Sequence, residues 1–240
     1  MIAKAIDKIL TLAIPSVAQI GDESYSRYAL IRLDKELRAS PIVVRNLSSL
    51  LMYICNFREN KKNLPLLVHV VDEKTVELLT ALDGDRMREH LIVAKTETPV
   101  IPFGQFVENE RMLISLQSSY VNDPSTDIAA VLKFAGSVSA GSIKEYGDDG
   151  VTQKATVRQG IASKAEAIVP SPCTLRPYRT FPEVEQPASR FIFRMREGSG
   201  ETVESALYEA DGGAWKNEAM RNIRIYLEQQ LESTEVIVIS

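Results

Sequence analysis

The chain has 240 residues, 45% apolar and 25% charged, enough to bury a sizeable core as one large domain or two small ones. Its net charge of −4 and pI near 5.4 argue against a generally basic nucleic-acid or membrane binder, while leaving room for a local basic patch. The two cysteines, Cys55 and Cys173, fall in different predicted elements and make no disulfide framework, which points to a reducing cytoplasm.

No apolar run reaches the roughly 18 residues of a membrane span. The opening stretch MIAKAIDKILTLAIPSVAQIG mixes charges at Lys4, Asp7 and Lys8 and breaks its apolar run at Thr11 and Pro15. It therefore does not read as a signal peptide. Ile2, Ile6, Ile9, Leu10 and Ala13 instead share one helical face, the pattern of a docking helix. A strand is expected at 28–33. Asn46 should cap a helix whose apolar positions are Leu47, Leu50, Leu51 and Ile54.

LPLLVHVVD (64–72) is a short, nearly continuous apolar run and reads as a buried strand. Segments 75–82 and 91–96 complete an antiparallel meander with it. Between those two, ALDGDRMREH supplies an Asp-Gly turn or one helical turn at 86–90. Beyond Pro99 and Pro102 a helix is expected with Phe106, Val107, Leu113, Ile114 and Tyr120 on one face. A second helix follows, capped by Ser125 or Thr126, with Ile128, Val131, Leu132 and Ala135 inward and Gly136 as its stop. Together they form an α-hairpin.

The remainder is β-rich. Val151, Ala155 and Val157 alternate with polar neighbours, as in a half-exposed strand, and AEAIVPSP pairs with it. TLRPYRTFPEV is extended but interrupted by Pro177 and Pro182, which suits a sheet edge or a long arm. In RFIFRMR, Phe191, Phe193 and Met195 face one way and Arg190, Ile192, Arg194 and Arg196 the other. A short strand at SALYEAD, a Gly212–Gly213 turn, a helix over 216–231 buried through Met220, Ile223, Leu227 and Leu231, and a closing strand TEVIVIS finish the chain. That last strand must enter its own sheet or pair with another chain.

The expected fold is α+β: a mainly antiparallel sheet, an α-hairpin and a C-terminal amphipathic helix. Residues 1–46 read as an N-terminal helix and extension and 47–240 as a single α+β domain, with a candidate hinge at 136–150.

Catalytic and metal-binding patterns are missing from the sequence. His69 sits in an apolar strand and His90 in a charged turn, neither beside a cysteine, so no nucleophile–base pair or zinc spacing emerges. Asp148 and Asp149 lack the alternating ligands of a calcium loop, and the phosphate-loop and dinucleotide motifs are absent. No cofactor, metal or catalytic residue is expected. One cluster carries a functional signal: Arg176, Arg179, Arg190, Arg194 and Arg196 accompany Tyr178, Phe181, Phe191 and Phe193. Arginine forks hold phosphates and aromatic faces stack bases, yet the alternation turns the phenylalanines inward and leaves the arginines to Glu183, Glu185 or a neighbouring subunit. The proline-stiffened arm could equally lie across a partner, with Arg176 and Tyr178 as contacts.

Several runs resemble the YfdQ-like family of phage and prophage proteins: VENERMLISLQSSYV, IAAVLKFAG, DDGVTQKATVRQGIA, VPSPCTLRPYRTFPEVEQPASRFIFRMR and ALYEADGGAWKNEAMRNIRIYLE, spanning about 64–231. That family is a domain of unknown function. The resemblance therefore implies a phage-encoded protein of the host bacterial cytoplasm but assigns no catalytic residue. Two functions are then expected. The first is a non-enzymatic, self-assembling homo-oligomer using the 174–196 arm and sheet edges. The second is a nucleic-acid or nucleotide binder in phage recombination or in countering host defence, with Arg176, Arg179, Arg190, Arg194 and Arg196 as anion contacts. Neither involves a membrane.

Overall fold

Two apolar stripes at different periods organise the larger part of the molecule, and each finds a sheet. The computed structural model describes residues 2–13, 17–20, 23–26, 38–56, 64–137, 143–148, 153–159, 163–168, 170–199 and 202–240. The chain divides into a unit Met1–Ala39 and a unit Ser40–Ser240.

In the first unit, α1 (Ile2–Ala13) is the expected N-terminal helix, with Ile2, Ile6, Ile9, Leu10 and Leu12 exposed. Strands β1 (Val17–Ile20) and β2 (Glu23–Ser26) form an antiparallel hairpin. The strand expected at 28–33 lies outside the described residues.

The second unit holds a mixed five-stranded sheet. Its strands are β3 (Ile42–Val44), β4 (Leu66–Asp72), β5 (Thr75–Thr80), β6 (His90–Lys95) and β14 (Ile237–Ile239), in the order β14-β4-β5-β6-β3. The predicted β4-β5-β6 meander is antiparallel, and the two edge strands are added in parallel, β14 beside β4 and β3 beside β6. TEVIVIS thus enters its own sheet. The connection turns at 84–86, on the Asp-Gly pair, and 86–90 is not helical. Asp83 Oδ1 accepts the N–H groups of Asp85 and Met87 at 2.9 and 3.0 Å, and Arg86 has φ 55°.

One face of this sheet is covered by α2 (Leu47–Asn56) and α5 (Ala214–Gln230). Val68, Val70, Val76, Leu78, Ile92 and Ala94 meet Leu47, Leu50 and Tyr53 of α2 and Ile223 and Leu227 of α5, with Leu231 just beyond. Asn46 caps α2 as expected, its Oδ1 accepting Ser49 N–H at 2.8 Å. Helix α5 starts two residues earlier than the sequence suggests, so Trp215 and Ala219 join its buried stripe while Met220 is only partly covered. The turn before it needs its glycines: Gly212 and Gly213 have φ 64° and 82°, strained for any residue with a Cβ.

A second, four-stranded sheet has the order β11-β12-β13-β7, from β7 (Val107–Glu108), β11 (Cys173–Leu175), β12 (Ser189–Glu197) and β13 (Val203–Glu209). Its inner face carries Cys173, Leu175, Phe191, Phe193, Met195, Val203 and Leu207 under α3 (Asn109–Ser119) and α4 (Ile128–Ser137), the expected α-hairpin. The α3 stripe differs from expectation. Val107 is taken into β7, so the helix begins at Asn109; Met112 and Leu116 face the core and Ile114 is 57% exposed. Asn109 ties the layer together, donating to Ala135 O at 2.7 Å and accepting from Ser205 Oγ at 2.8 Å. Helix α4 is not capped by Ser125 or Thr126 either. It begins at Ile128, with Asp127 O accepting Val131 N–H, because Asp127 also exchanges hydrogen bonds with the backbone of Thr174.

Strands β8 (Ile143–Asp148), β9 (Gln153–Gln159) and β10 (Ser163–Ile168) make an antiparallel three-stranded sheet, including the expected pairing of β10 with β9. Which way their side chains face lies outside the described residues, as do 138–142 and 149–150 of the candidate hinge at 136–150, whose remainder is the end of α4 and β8. The fold is α+β, and among the described residues all ladders but two are antiparallel.

Candidate functional site

The 176–188 connection between β11 and β12 is folded into its own unit. It leaves the four-stranded sheet after Leu175, inserts Phe181 and Val184 into the core under the five-stranded sheet, and returns at Ser189. Gln186 organises the loop from inside. Its Oε1 accepts the N–H groups of Arg179 and Thr180, and its Nε2 donates to Phe181 O and Val184 O. Thr180 Oγ donates to Glu73 O at 2.5 Å, and Glu183 Oε1 accepts Leu47 N–H at 2.8 Å at the start of α2. The Glu183 carboxylate also suits the positive end of that helix. The segment that reads as an arm is a staple joining two core layers.

Its arginines follow. Arg176 bridges Asp123 (2.9 Å) and Glu185 (3.1 Å). The N–H of Ser125 foremost, with Arg176 adding to it, holds the Asp123 carboxyl below its usual range. Arg179 is 5% exposed. Its Nη1 donates to Glu209 Oε1 at 2.6 Å, its Nη2 to Ser189 Oγ, and its guanidinium carbon lies 4.0 Å from the Trp215 ring centre. Ser189 in turn bonds Asp211, which also accepts Gly213 N–H. Burial pulls the Arg179 pKa down, opposed by Glu209 and Asp211. Tyr178, 37% exposed, turns outward, as do Pro182 and Glu185.

Two neighbours of Arg179 are inert by burial. The Cys173 thiol is pushed up to about 12, so it is no thiolate at neutral pH. Tyr120 is 3% exposed, its hydroxyl has no hydrogen-bond partner, and burial raises its pKa. An unsatisfied buried hydroxyl costs about 1–3 kcal/mol. Tyr120→Phe should therefore leave stability unchanged or raise it by up to about 1 kcal/mol; a fall in the urea midpoint would show that the hydroxyl has a partner in solution.

Arg190, Arg194 and Arg196 project from the outer face of β12, as the alternation predicts. On β13, Glu204 stands across from Arg196, Ala206 from Arg194, and Tyr208 from Ile192 between the arginines. Arg196 donates twice to Glu204 Oε2 at 2.8 Å and lies 4.0 Å over the Phe106 ring. Glu108 pairs beside Glu204. This face is a mixed-charge surface, with Arg190 exposed at one end. Arg179 is thus buried, Arg176 is held by Asp123 and Glu185, and Arg196 by Glu204, so the five do not present one open cationic patch.

The outer face of the five-stranded sheet is of another kind. Its register puts Ile237 and Ile239 of β14 beside Leu67 and His69 of β4, then Leu79 and Glu77 of β5, then Val93 of β6 beside Val43 of β3. Val43 is 61% exposed, Ile237 60% and Ile239 43%. Sequence reading missed this face because 64–72 is apolar at both parities, and such a run does not say which side is covered.

Among the described residues no three His, Cys, Asp or Glu side chains gather as a metal site, and no helix is long and apolar enough to cross a membrane. Comparison with family models, curated proteins and solved structures finds no match for the chain.

Proposed function

We propose that this is a non-enzymatic, self-assembling protein of the YfdQ-like phage kind, working in the host cytoplasm as a homo-oligomer. The observation that carries the reading is where its exposed apolar side chains lie. Exposed apolar side chains occur on both edge strands of the five-stranded sheet, through Ile42 and Val43 of β3 and Ile237 and Ile239 of β14, and, in the first unit, along α1. Isolated exposed apolar residues need no explanation, but contiguous ones mark interaction surfaces. The staple supports assembly by rigidity, not by reaching out, since its apolar residues are spent on its own core.

The nucleic-acid reading has less beneath it. Arg176, Arg179 and Arg196 each sit on a carboxylate. Bound single strands need a continuous positive groove beside their stacking platforms.

Light scattering behind size exclusion, with absorbance at 260 and 280 nm, tests the proposal on the whole chain. The expected mass is a defined multiple of the 26.7 kDa chain with a protein-like absorbance ratio. A monomer at micromolar concentration would overturn it. A 260 nm-rich complex dispersed by salt would replace it with nucleic-acid binding.

A further inference from the structure

The five-stranded and four-stranded sheets each bury one face under helices, and their outer faces differ. The four-stranded sheet turns out arginines and glutamates, the normal solvated half of an alternating pattern. The five-stranded sheet turns out Ile237, Ile239, Leu67, Val93 and Val43 from four of its strands, while the central β5 adds Glu77 and the already buried Leu79. Resting on the self-assembly reading, we infer that this outer face stacks against the same face of a second copy about a two-fold axis.

Three observations select a second copy as the occupant. The first is charge. The outward ionisable groups are Glu77, which pairs with His90 at 3.2 Å, Asp72 and Lys95, along with His69. Acids and bases are interspersed, so the face can meet itself without the repulsion that a single-sign face would suffer. The same balance gives nothing for an anionic lipid surface to attract.

The second is area. Five strands at about 4.8 Å spacing and about five residues of 3.3 Å each give roughly 400 Å² of projected surface per copy. With side-chain relief, two such faces remove on the order of 1,000 Å² or more from water, the lower bound for a specific protein interface. The third is composition. Valine, leucine and isoleucine on a pleated surface are what aligned sheets interdigitate in a sandwich, and a two-fold stack continues that core between copies. The exposed ends of the patch, Val43 and Ile237, lie at opposite edges, so a stack covers both at once.

The test compares the wild-type chain with Val43→Arg, Leu67→Arg and Val93→Arg by light scattering across a dilution series. Thermal melts run alongside. Arg190→Glu, on the other sheet's outer face, serves as the control. Each face substitution enters the interface twice and buries an unpaired charge, so the dissociation constant should rise roughly a hundredfold or more. Melting of the dissociated chain should stay cooperative, and Arg190→Glu should assemble as wild type.

Val43→Arg keeps the test valid if the half-buried positions fail to fold, because Val43 is already 61% exposed. If the wild type is oligomeric and folded Val43→Arg and Val93→Arg keep its mass, the face inference fails while self-assembly stands. If the wild type is monomeric, both fail, and recovery of that monomer on lipid vesicles would assign the face to a membrane surface.

Discussion

Arg179→Met should be among the most destabilising single substitutions in the chain, costing about 3–5 kcal/mol as expected for one partner removed from a buried pair. The guanidinium fills its site in three ways at once. It donates to Glu209 at 2.6 Å, donates to Ser189, and lies over the Trp215 ring at 4.0 Å. Methionine can keep the apolar contact with the ring but none of the donors. The Glu209 side chain is 38% exposed, so it can recover hydration when its partner goes, which places the expected loss toward the lower end. Ser189 retains Asp211.

Arg179→Lys should recover little of the difference. One ammonium cannot serve Glu209 and Ser189 in a planar fork while stacking on an indole. For a unit of about 200 residues each kcal/mol moves the melting temperature by about 2–4 °C, so a fall of roughly 6–12 °C is expected. The check is urea unfolding followed by Trp215 fluorescence. A loss of less than about 1 kcal/mol would mean that the buried pair barely exceeds its desolvation cost, and that the arginine is held there for something other than stability.

What the sequence made legible follows from period and punctuation. Phe191, Phe193 and Met195 against Arg190, Arg194 and Arg196 is a clean period of two, and β12 has that orientation. Asn46 before an apolar helical stripe, and Gly212–Gly213 before another, marked α2 and α5 because caps and left-handed turns are local chemistry. The staple was not legible for the opposite reason. Prolines, alternating charge and aromatics describe a solvated arm and a buried connection equally well. Only long-range partners, Glu73 for Thr180 and the α2 amides for Glu183, decide between them. The apolar outer face was hidden in the same way, since alternation cannot be read in 64–72 when both parities are apolar. The arginines could be assigned to strands from sequence, but not to their acids, which come from 123, 185, 204 and 209.

Phe181→Ala tests the staple itself. The ring is wholly buried, and it stands in the core of the five-stranded sheet only six residues after Leu175, which belongs to the core of the other. Deleting it should cost about 3–5 kcal/mol, the usual range for a buried phenylalanine whose cavity collapses only partly. The loss should also be uneven. Glu183, two residues on, accepts the Leu47 and Ser48 N–H groups, so loosening the staple removes the acceptor from the first turn of α2. Hydrogen exchange should then speed up in α2 and in β4–β6 before it does in α3 and α4, whose core of Met112, Leu116, Val131 and Phe134 does not include Phe181. Equal acceleration in all of these segments would mean that the layers open as one unit and that the staple is an ordinary loop. An uneven response would make the connection the joint between the layers, and explain why Phe181 and Glu183 point into the molecule instead of toward a partner.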